Sequence, residues 1–300
     1  MSVMSDFTPN ILIENGWQSY VLLDSGMGRK LERFGKITVS RPEPQALWEK
    51  SLPDSEWNKA DATFTNASEK EDEEKGSWSQ KGKLPESWPV EVEGVNMLCR
   101  LMSYRHMGLF PEQRPHWQWI SKQIKSAGRP LKILNLFAYT GAASLIAAKA
   151  GAEVTHVDAS KKAIGWCKEN QDASGLIDTK IRWICDDAAK FVAREIRRGN
   201  KYDGILLDPP RYGRGPDGEV WRFETDVAPM LKDCASLLSD NAKFMILTAY
   251  ALRLSPLTLD HMMADALGGR KGQRDYGELF LNDKTTKRPL ATSMFCRWSA

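Results

Sequence analysis

From residue 131 onward, strand-like and helix-like stretches alternate, and this alternation constrains the fold more than any other feature of the chain. "LKILNLF" is followed by "AASLIAAKAG", "EVTHVDA" by "KKAIGWCKENQDAS", and "KIRWICDD" by "AKFVAREIRR". "YDGILLDPP", a helix around "APMLKDCASLL", and "AKFMILTAY" continue the series. Short apolar strands separated by helices imply βαβ units, hence a parallel sheet covered on both faces. The chain then changes character. "DYGELFLND" and "TSMFCRWS" read as strands joined by the polar "KTTKRPLA", an antiparallel hairpin added to the sheet edge.

Before Ala127 the pattern is different and β-rich. "SYVLLDSG" and "KITVSRP" read as strands, with Gly26, Gly28 and Gly35 punctuating the turns. "KADATFT" and "GSWSQ" pair as a hairpin across the charge run at 69–75, a solvated loop tip. "VNMLCRLMSY" reads as another strand. "PEQRPHWQWISKQI" reads as a helix with Trp117, Ile120 and Ile124 on one face. The expected organisation is a small β-rich domain over residues 1–120 and an α/β domain over residues 121–300.

Composition bounds the function. No apolar run reaches the ~18–20 residues of a membrane span, and "MSVMSDFTPNILIENG" lacks the basic and apolar regions of a secretory signal. The five cysteines are scattered, with no CxxC pair and no Cys/His cluster. Neither a disulfide framework nor a metal site is expected, and a reducing cytoplasm is. A net charge of +3 neither demands nor excludes a nucleic-acid partner, because a local basic patch matters more.

Candidate site residues follow the strands, because ligands of open α/β sheets sit at the strands' carboxyl ends. Phe137-Ala138-Tyr139-Thr140-Gly141 is a strand-to-helix turn. Gly141 permits close backbone approach, and the helix N–H groups beyond it favour an anion; an ordinary β–α turn would look the same. Asp158, followed by Ala159, ends the second strand, where a carboxylate can accept both hydroxyls of a ribose. Ser160 after it can also cap the next helix. Asp187 and the backbone of Ala188 can hold an adenine, whereas Asp186 reads better as a helix cap. A dinucleotide site would carry G-x-G-x-x-G in the first turn, and here one glycine stands. An adenosine with a single carboxylate fits better, and S-adenosylmethionine is such a ligand. The most specific stretch is "LLDPPRYGRG" at 206–215. Two prolines fix the backbone and offer carbonyls without N–H donors, so Asp208, Pro209 and Pro210 form a rim of acceptors for a planar base.

"ILNLFAYTG", "VDAS", "DDA" and "LLDPPRYG" stand in the order of the class I S-adenosylmethionine-dependent methyltransferases, which the chain resembles over roughly residues 95–300. More narrowly it resembles the RlmI-type branch, related to 23S ribosomal RNA cytosine-C5 methyltransferases. The resemblance implies a Rossmann-like seven-stranded, mostly parallel sheet whose last two strands form the hairpin. "GLFPEQR" resembles that branch's segment before the Rossmann-like domain, which implies that Phe110, Gln113 and Arg114 lie near the cofactor. The N-terminal part departs from the RNA-binding PUA domain of many members. The chemistry departs too. Cytosine C5 needs a cysteine to attack C6, and after the fifth strand this chain has Ala249 and Tyr250 instead. Cys185 and Cys234 read as buried small residues.

The expectation is therefore direct methyl transfer to a nitrogen or oxygen, with RNA, by resemblance ribosomal, as substrate. Asp208 and the carbonyls near Pro209 orient the acceptor, Tyr212 stacks on a base or packs in the core, and Arg211 and Arg214 meet phosphates or only water. Arg194, Arg197, Arg198 and Lys201 read as a solvated helix end. Methylation of a protein or small molecule stays open, as does a non-catalytic module that keeps the cofactor fold.

Overall fold

The computed structural model describes residues 8–67, 75–250 and 252–300. Of the charge run at 69–75, only Lys75 falls within them. The N-terminal part supplies β1 (Asn10–Glu14), β2 (Tyr20–Gly26), β3 (Arg29–Phe34), β4 (Ile37–Pro42), α1 (Asp54–Trp57), β5 (Ala62–Asn66), β6 (Gly76–Gln80), β7 (Trp88–Val92) and β8 (Val95–Cys99). A 3-10 turn, Pro111–Gln113, leads into α2 (Arg114–Ser126). The alternating part follows: β9 (Lys132–Leu136), α3 (Ala142–Lys149), β10 (Glu153–Asp158), α4 (Lys161–Ala173), β11 (Ile181–Cys185), α5 (Ala188–Arg197) and β12 (Gly204–Leu207). Last come β13 (Tyr212–Arg214), β14 (Val220–Arg222), α6 (Phe223–Leu237), β15 (Phe244–Tyr250), α7 (Pro256–Leu267), β16 (Gln273–Asn282) and β17 (Pro289–Ser299).

The main sheet runs β1-β16-β17-β15-β12-β9-β10-β11. β15, β12, β9, β10 and β11 are parallel, as apolar strands joined by helices must be, and β17 is antiparallel to both β15 and β16. These are the seven strands and the hairpin expected. An eighth is added: β1 pairs in parallel with β16, Leu12 opposite Leu279. Gly277 makes room for it, since a Cβ there would lie 1.8 Å from the Asn10 carbonyl oxygen.

Two apolar layers cover the sheet. On one face Phe191, Leu231 and Leu259 from α5, α6 and α7 pack on Leu134, Ile205 and Leu247. On the other, Ile120 and Ile124 of α2 and Ala147 of α3 pack on Ile133, Leu206 and Ile246. Trp117, Ile120 and Ile124 are buried along one side of α2, as their spacing requires.

The N-terminal strands form a five-stranded sheet, β2-β3-β4-β5-β6, and a β7–β8 hairpin. β5 and β6 pair antiparallel, as their patterns predict. β8 is fastened to α4: Trp166 Nε1 donates to the Leu98 carbonyl at 2.8 Å and Asn170 Oδ1 accepts the Leu98 N–H at 2.8 Å. Inside this layer lies a buried charge cluster. Glu32 accepts the Tyr20 hydroxyl at 2.8 Å and two Arg41 nitrogens at 2.5 and 3.0 Å. Burial alone would raise the Glu32 pKa, but Arg41 and Lys30 outweigh it and hold it at about 2. Arg41 also donates to the Arg105 carbonyl at 3.1 Å, which fixes the chain entering the 3-10 turn.

Candidate active site

Sheet register brings the site together. Leu136, the last residue of β9, lies opposite Leu207, the last of β12. The 137–141 turn and Asp208-Pro209-Pro210 therefore leave the sheet side by side. Here the strand order reverses, β10 lying on one side of β9 and β12 on the other. Such a switch point opens a crevice at the carboxyl ends.

The turn takes a backbone form that side chains avoid: φ is +55° at Phe137, +49° at Tyr139 and +90° at Gly141. Each non-glycine residue so placed costs on the order of 1–3 kcal/mol, and its surroundings must hold it. Asp158 Oδ2 accepts the Tyr139 N–H at 2.8 Å, Thr140 Oγ1 donates to the Gly108 carbonyl at 2.5 Å, and Asn170 Nδ2 donates to the Thr140 carbonyl at 2.9 Å. Beneath the turn, His156 lies 2.9 Å from Ser144 Oγ and 3.4 Å from Cys167 Sγ. Burial pushes the His156 pKa down to about 3, so the imidazole is neutral.

The crevice is a partly open cleft with an internal volume of about 70 Å³. Of the predicted residues, Phe110, Gln113, Phe137, Tyr139, Thr140, Gly141 and Asp208 line it. Gln113 Nε2 donates to Asp208 Oδ2 at 3.2 Å and to the Tyr250 oxygen at 2.6 Å. The Tyr250 hydroxyl lies 3.5 Å from the same Asp208 oxygen. Asp208 Oδ1 is buried with no hydrogen-bond partner among the described residues. Burial, and then the nearby Glu112, push the Asp208 pKa up to about 8, against the Tyr250 hydrogen bond. The Phe110 ring stands 5.6 Å from both Tyr139 and Tyr250.

Other candidates stand back from the crevice walls. Asp158 reaches the crevice through the Tyr139 amide; its Oδ1 accepts the Ser160 N–H at 2.8 Å, and Ser160 caps α4. Ala159 follows Asp158, its carbonyl 3.7 Å from Cys185 Sγ. The capping expected of Asp186 falls to Asp187, which accepts the Lys190 N–H at 2.9 Å while Ala188 opens α5. Asp186 instead pairs with Arg194 and accepts the Asp187 N–H, because it precedes the helix by one residue too many. Arg114 turns away from the crevice. It bonds Glu93 at 2.7 Å, Glu14 at 3.0 Å and the Asn15 carbonyl at 2.9 Å, so carboxylate pairing draws it to the β1 side.

β13 and β14 form a hairpin that "RYGRG" does not announce. Trp221 folds it back on the site: its Nε1 donates to the Pro210 carbonyl at 2.8 Å, and its ring centroid is 4.8 Å from that of Phe137. Pro209 is buried and Pro210 exposed. Tyr212 is 52% exposed, so it does not pack in the core. Arg211 lies 3.3 Å from Glu224, and Arg214 is exposed. Cys234 is buried as expected, but Cys185 is exposed, because it ends β11 at the open edge of the sheet. Sequence reasoning passed over Glu112, Trp221 and any role for Tyr250. Tyr250 had a signal, since it ends the strand next to β12.

The sequence model of the S-adenosylmethionine-dependent methyltransferases matches residues 68–242. Ribosomal RNA large subunit methyltransferase K/L of Shewanella frigidimarina is 34% identical over 158 residues, which is 52% of this chain and 21% of that protein. Ribosomal RNA large subunit methyltransferase I of Aeromonas salmonicida is 32% identical over 124 residues, 41% of this chain and 30% of that protein. The chain thus spans less than a third of these relatives. Among solved structures, a SAM-dependent methyltransferase from Agrobacterium tumefaciens is 48% identical with a TM-score of 0.93, covering 98% of this chain and 94% of that one.

Proposed function

The chain belongs to the S-adenosylmethionine-dependent methyltransferase family, and we infer that it methylates RNA, ribosomal RNA first, at a nitrogen or oxygen. The cofactor supplies a methyl group on a sulfonium, so a lone pair can displace a neutral thioether. The residues fit it. The left-handed turn exposes backbone to the crevice, Asp158 stands behind that turn, Asp187 and Ala188 follow the neighbouring strand, and Asp208 keeps one oxygen unpartnered.

The observation that carries the reading is this unpartnered Asp208 Oδ1 in the crevice wall, beside a hairpin with exposed Tyr212 and Arg214. A carboxylate oxygen with no donor suits an acceptor N–H or O–H, which it orients and whose developing positive charge it offsets. The acceptor nitrogen or oxygen gains a bond to the methyl carbon as the bond to sulfur breaks, the pair staying on sulfur. Once ionised, Asp208 Oδ1 takes the proton the acceptor must lose, so transfer should rise with pH through its raised pKa of about 8. Alignment of the reacting atoms supplies most of the effect, and Pro209 and Pro210 stiffen the backbone that provides it. The ribosomal RNA named for the two bacterial relatives supports that substrate. With Cys234 buried, Cys185 at the far edge strand and Tyr250 closing β15, a nitrogen or oxygen is favoured over cytosine C5.

We keep residues 1–120 as the N-terminal domain, which lends β1 to the sheet of residues 121–300. Free cysteines support a cytoplasmic setting. The test is methyl mapping by mass spectrometry of ribosomal RNA from cells with and without the protein. A methylated nucleoside lost with the protein and restored in vitro supports the reading. Transfer to a protein or small molecule with no RNA product overturns it.

A further inference from the structure

We propose that Tyr250 is a positioning residue for methyl transfer: its hydroxyl, bridged by the Gln113 amide, fixes one oxygen of Asp208 so that the other, Oδ1, stays free for the acceptor. The proposal rests on reading Asp208 as the acceptor-facing group. Three separate elements meet here: the 3-10 turn brings Gln113, the end of β12 brings Asp208, and the end of β15 brings Tyr250. Gln113 Nε2 spans the other two, at 2.6 Å from the Tyr250 oxygen and 3.2 Å from Asp208 Oδ2. With both donors spent on Oδ2, Oδ1 is left buried and unpartnered. A buried polar atom without a partner is costly, and an acceptor N–H or O–H in the crevice would supply one to Oδ1. Tyr250 makes no covalent bond; it holds the carboxylate still while the acceptor's bond to the methyl carbon forms, the methyl–sulfur bond breaks with its pair left on sulfur, and the proton passes to Oδ1.

The ionisable groups that face Asp208 are Glu112 and Tyr250, with Gln113 the uncharged bridge. Facing Glu112 in turn are Lys30 and Arg41, which oppose its burial, and Glu32, which adds to it. The two neighbours of Asp208 act in opposite senses. The Tyr250 hydrogen bond favours the carboxylate, and the Glu112 charge disfavours it.

The test reads Asp208 directly in the free, full-length protein by carboxyl-carbon NMR of isotope-labelled aspartate, with Asp208→Asn to assign the signal. Tyr250→Phe should move the Asp208 titration to higher pH, and Glu112→Gln should move it to lower pH. A titration unmoved by Tyr250→Phe overturns the proposal. The second arm is kinetic, with 23S ribosomal RNA from cells lacking the protein. Tyr250→Phe should lower kcat about 100-fold, the scale of a misplaced reacting group. Calorimetric affinity for S-adenosylhomocysteine should hold within about two-fold, as for a residue that acts only in the transition state. Affinity lost in step with turnover would instead make Tyr250 a support of the cofactor turn and overturn the proposal. If wild type leaves this RNA unmethylated, the RNA reading fails, and the NMR titration still decides for or against Tyr250.

Discussion

At Asp158 one carboxylate already accepts the Tyr139 and Ser160 N–H groups, and the proposed site gives it a ribose as well. Removing it should act twice, by loosening the strained turn and by deleting hydrogen bonds to the cofactor. Asp158→Ala should weaken binding of S-adenosylhomocysteine by about 1.5–3 kcal/mol in calorimetry, the scale of lost charged hydrogen bonds. Unchanged affinity would remove Asp158 from the site. Asp208 makes a prediction of a different kind. Its pKa rises on folding from 3.8 to about 8, so between those values the folded protein holds a proton the unfolded chain has lost. The linked stability is fully present below about pH 4 and is lost as pH rises towards 8. Asparagine cannot ionise, so Asp208→Asn should gain on wild type in urea midpoint from pH 5 to pH 8. Midpoints that stay parallel across that range would sink this account. Turnover should fall in the same variant while cofactor affinity holds.

At the scale of elements, the β13–β14 hairpin joins the site through Trp221, which is 8% exposed and touches both Phe137 and Pro210. Trp221→Ala should cost roughly 3–5 kcal/mol by chemical denaturation, the usual price of deleting a large buried aromatic. Arg214 lies on the exposed face of the hairpin. If it meets a phosphate, Arg214→Ala should weaken RNA binding and lower the salt slope by about 1. Identical salt titrations would exclude that contact. This element marks where the sequence stops being legible. The alternating βαβ core, the C-terminal hairpin and the β5–β6 pair are all written in apolar periodicity and turn residues. The β13 and β14 strands are three residues each and carry no period. They exist because Trp221 folds back onto Pro210, a contact set by tertiary packing. The site divides the same way. The residues after β9 and β12 could be named from strand ends alone. Tyr250 and Glu112 become visible only when the register and the 3-10 turn bring them to Asp208.

Across the whole molecule, the N-terminal and α/β parts are laced together at several points. β8 is bonded to α4, Ser25 Oγ donates to Asp283, and β1 completes the main sheet beside β16. Gly277 is the tightest of these points, since the Asn10 backbone occupies the space a side chain would need. Gly277→Ala should destabilise by about 1–3 kcal/mol, as overpacking does. It should also release β1, so limited proteolysis should cut between residues 8 and 19 faster than in wild type. Unaltered cleavage would mean that β1 shifts without leaving the sheet.

The pairing of β1 with β16 also sets an order in time. During translation β1 emerges well before β16, with β2 to β15 made between them. Until then the apolar Ile11, Leu12 and Ile13 have no sheet to join. Closing this edge thus waits until β16 has been made. A nascent chain stalled before Gln273 would carry a bare β1 that proteases and chaperones can recognise.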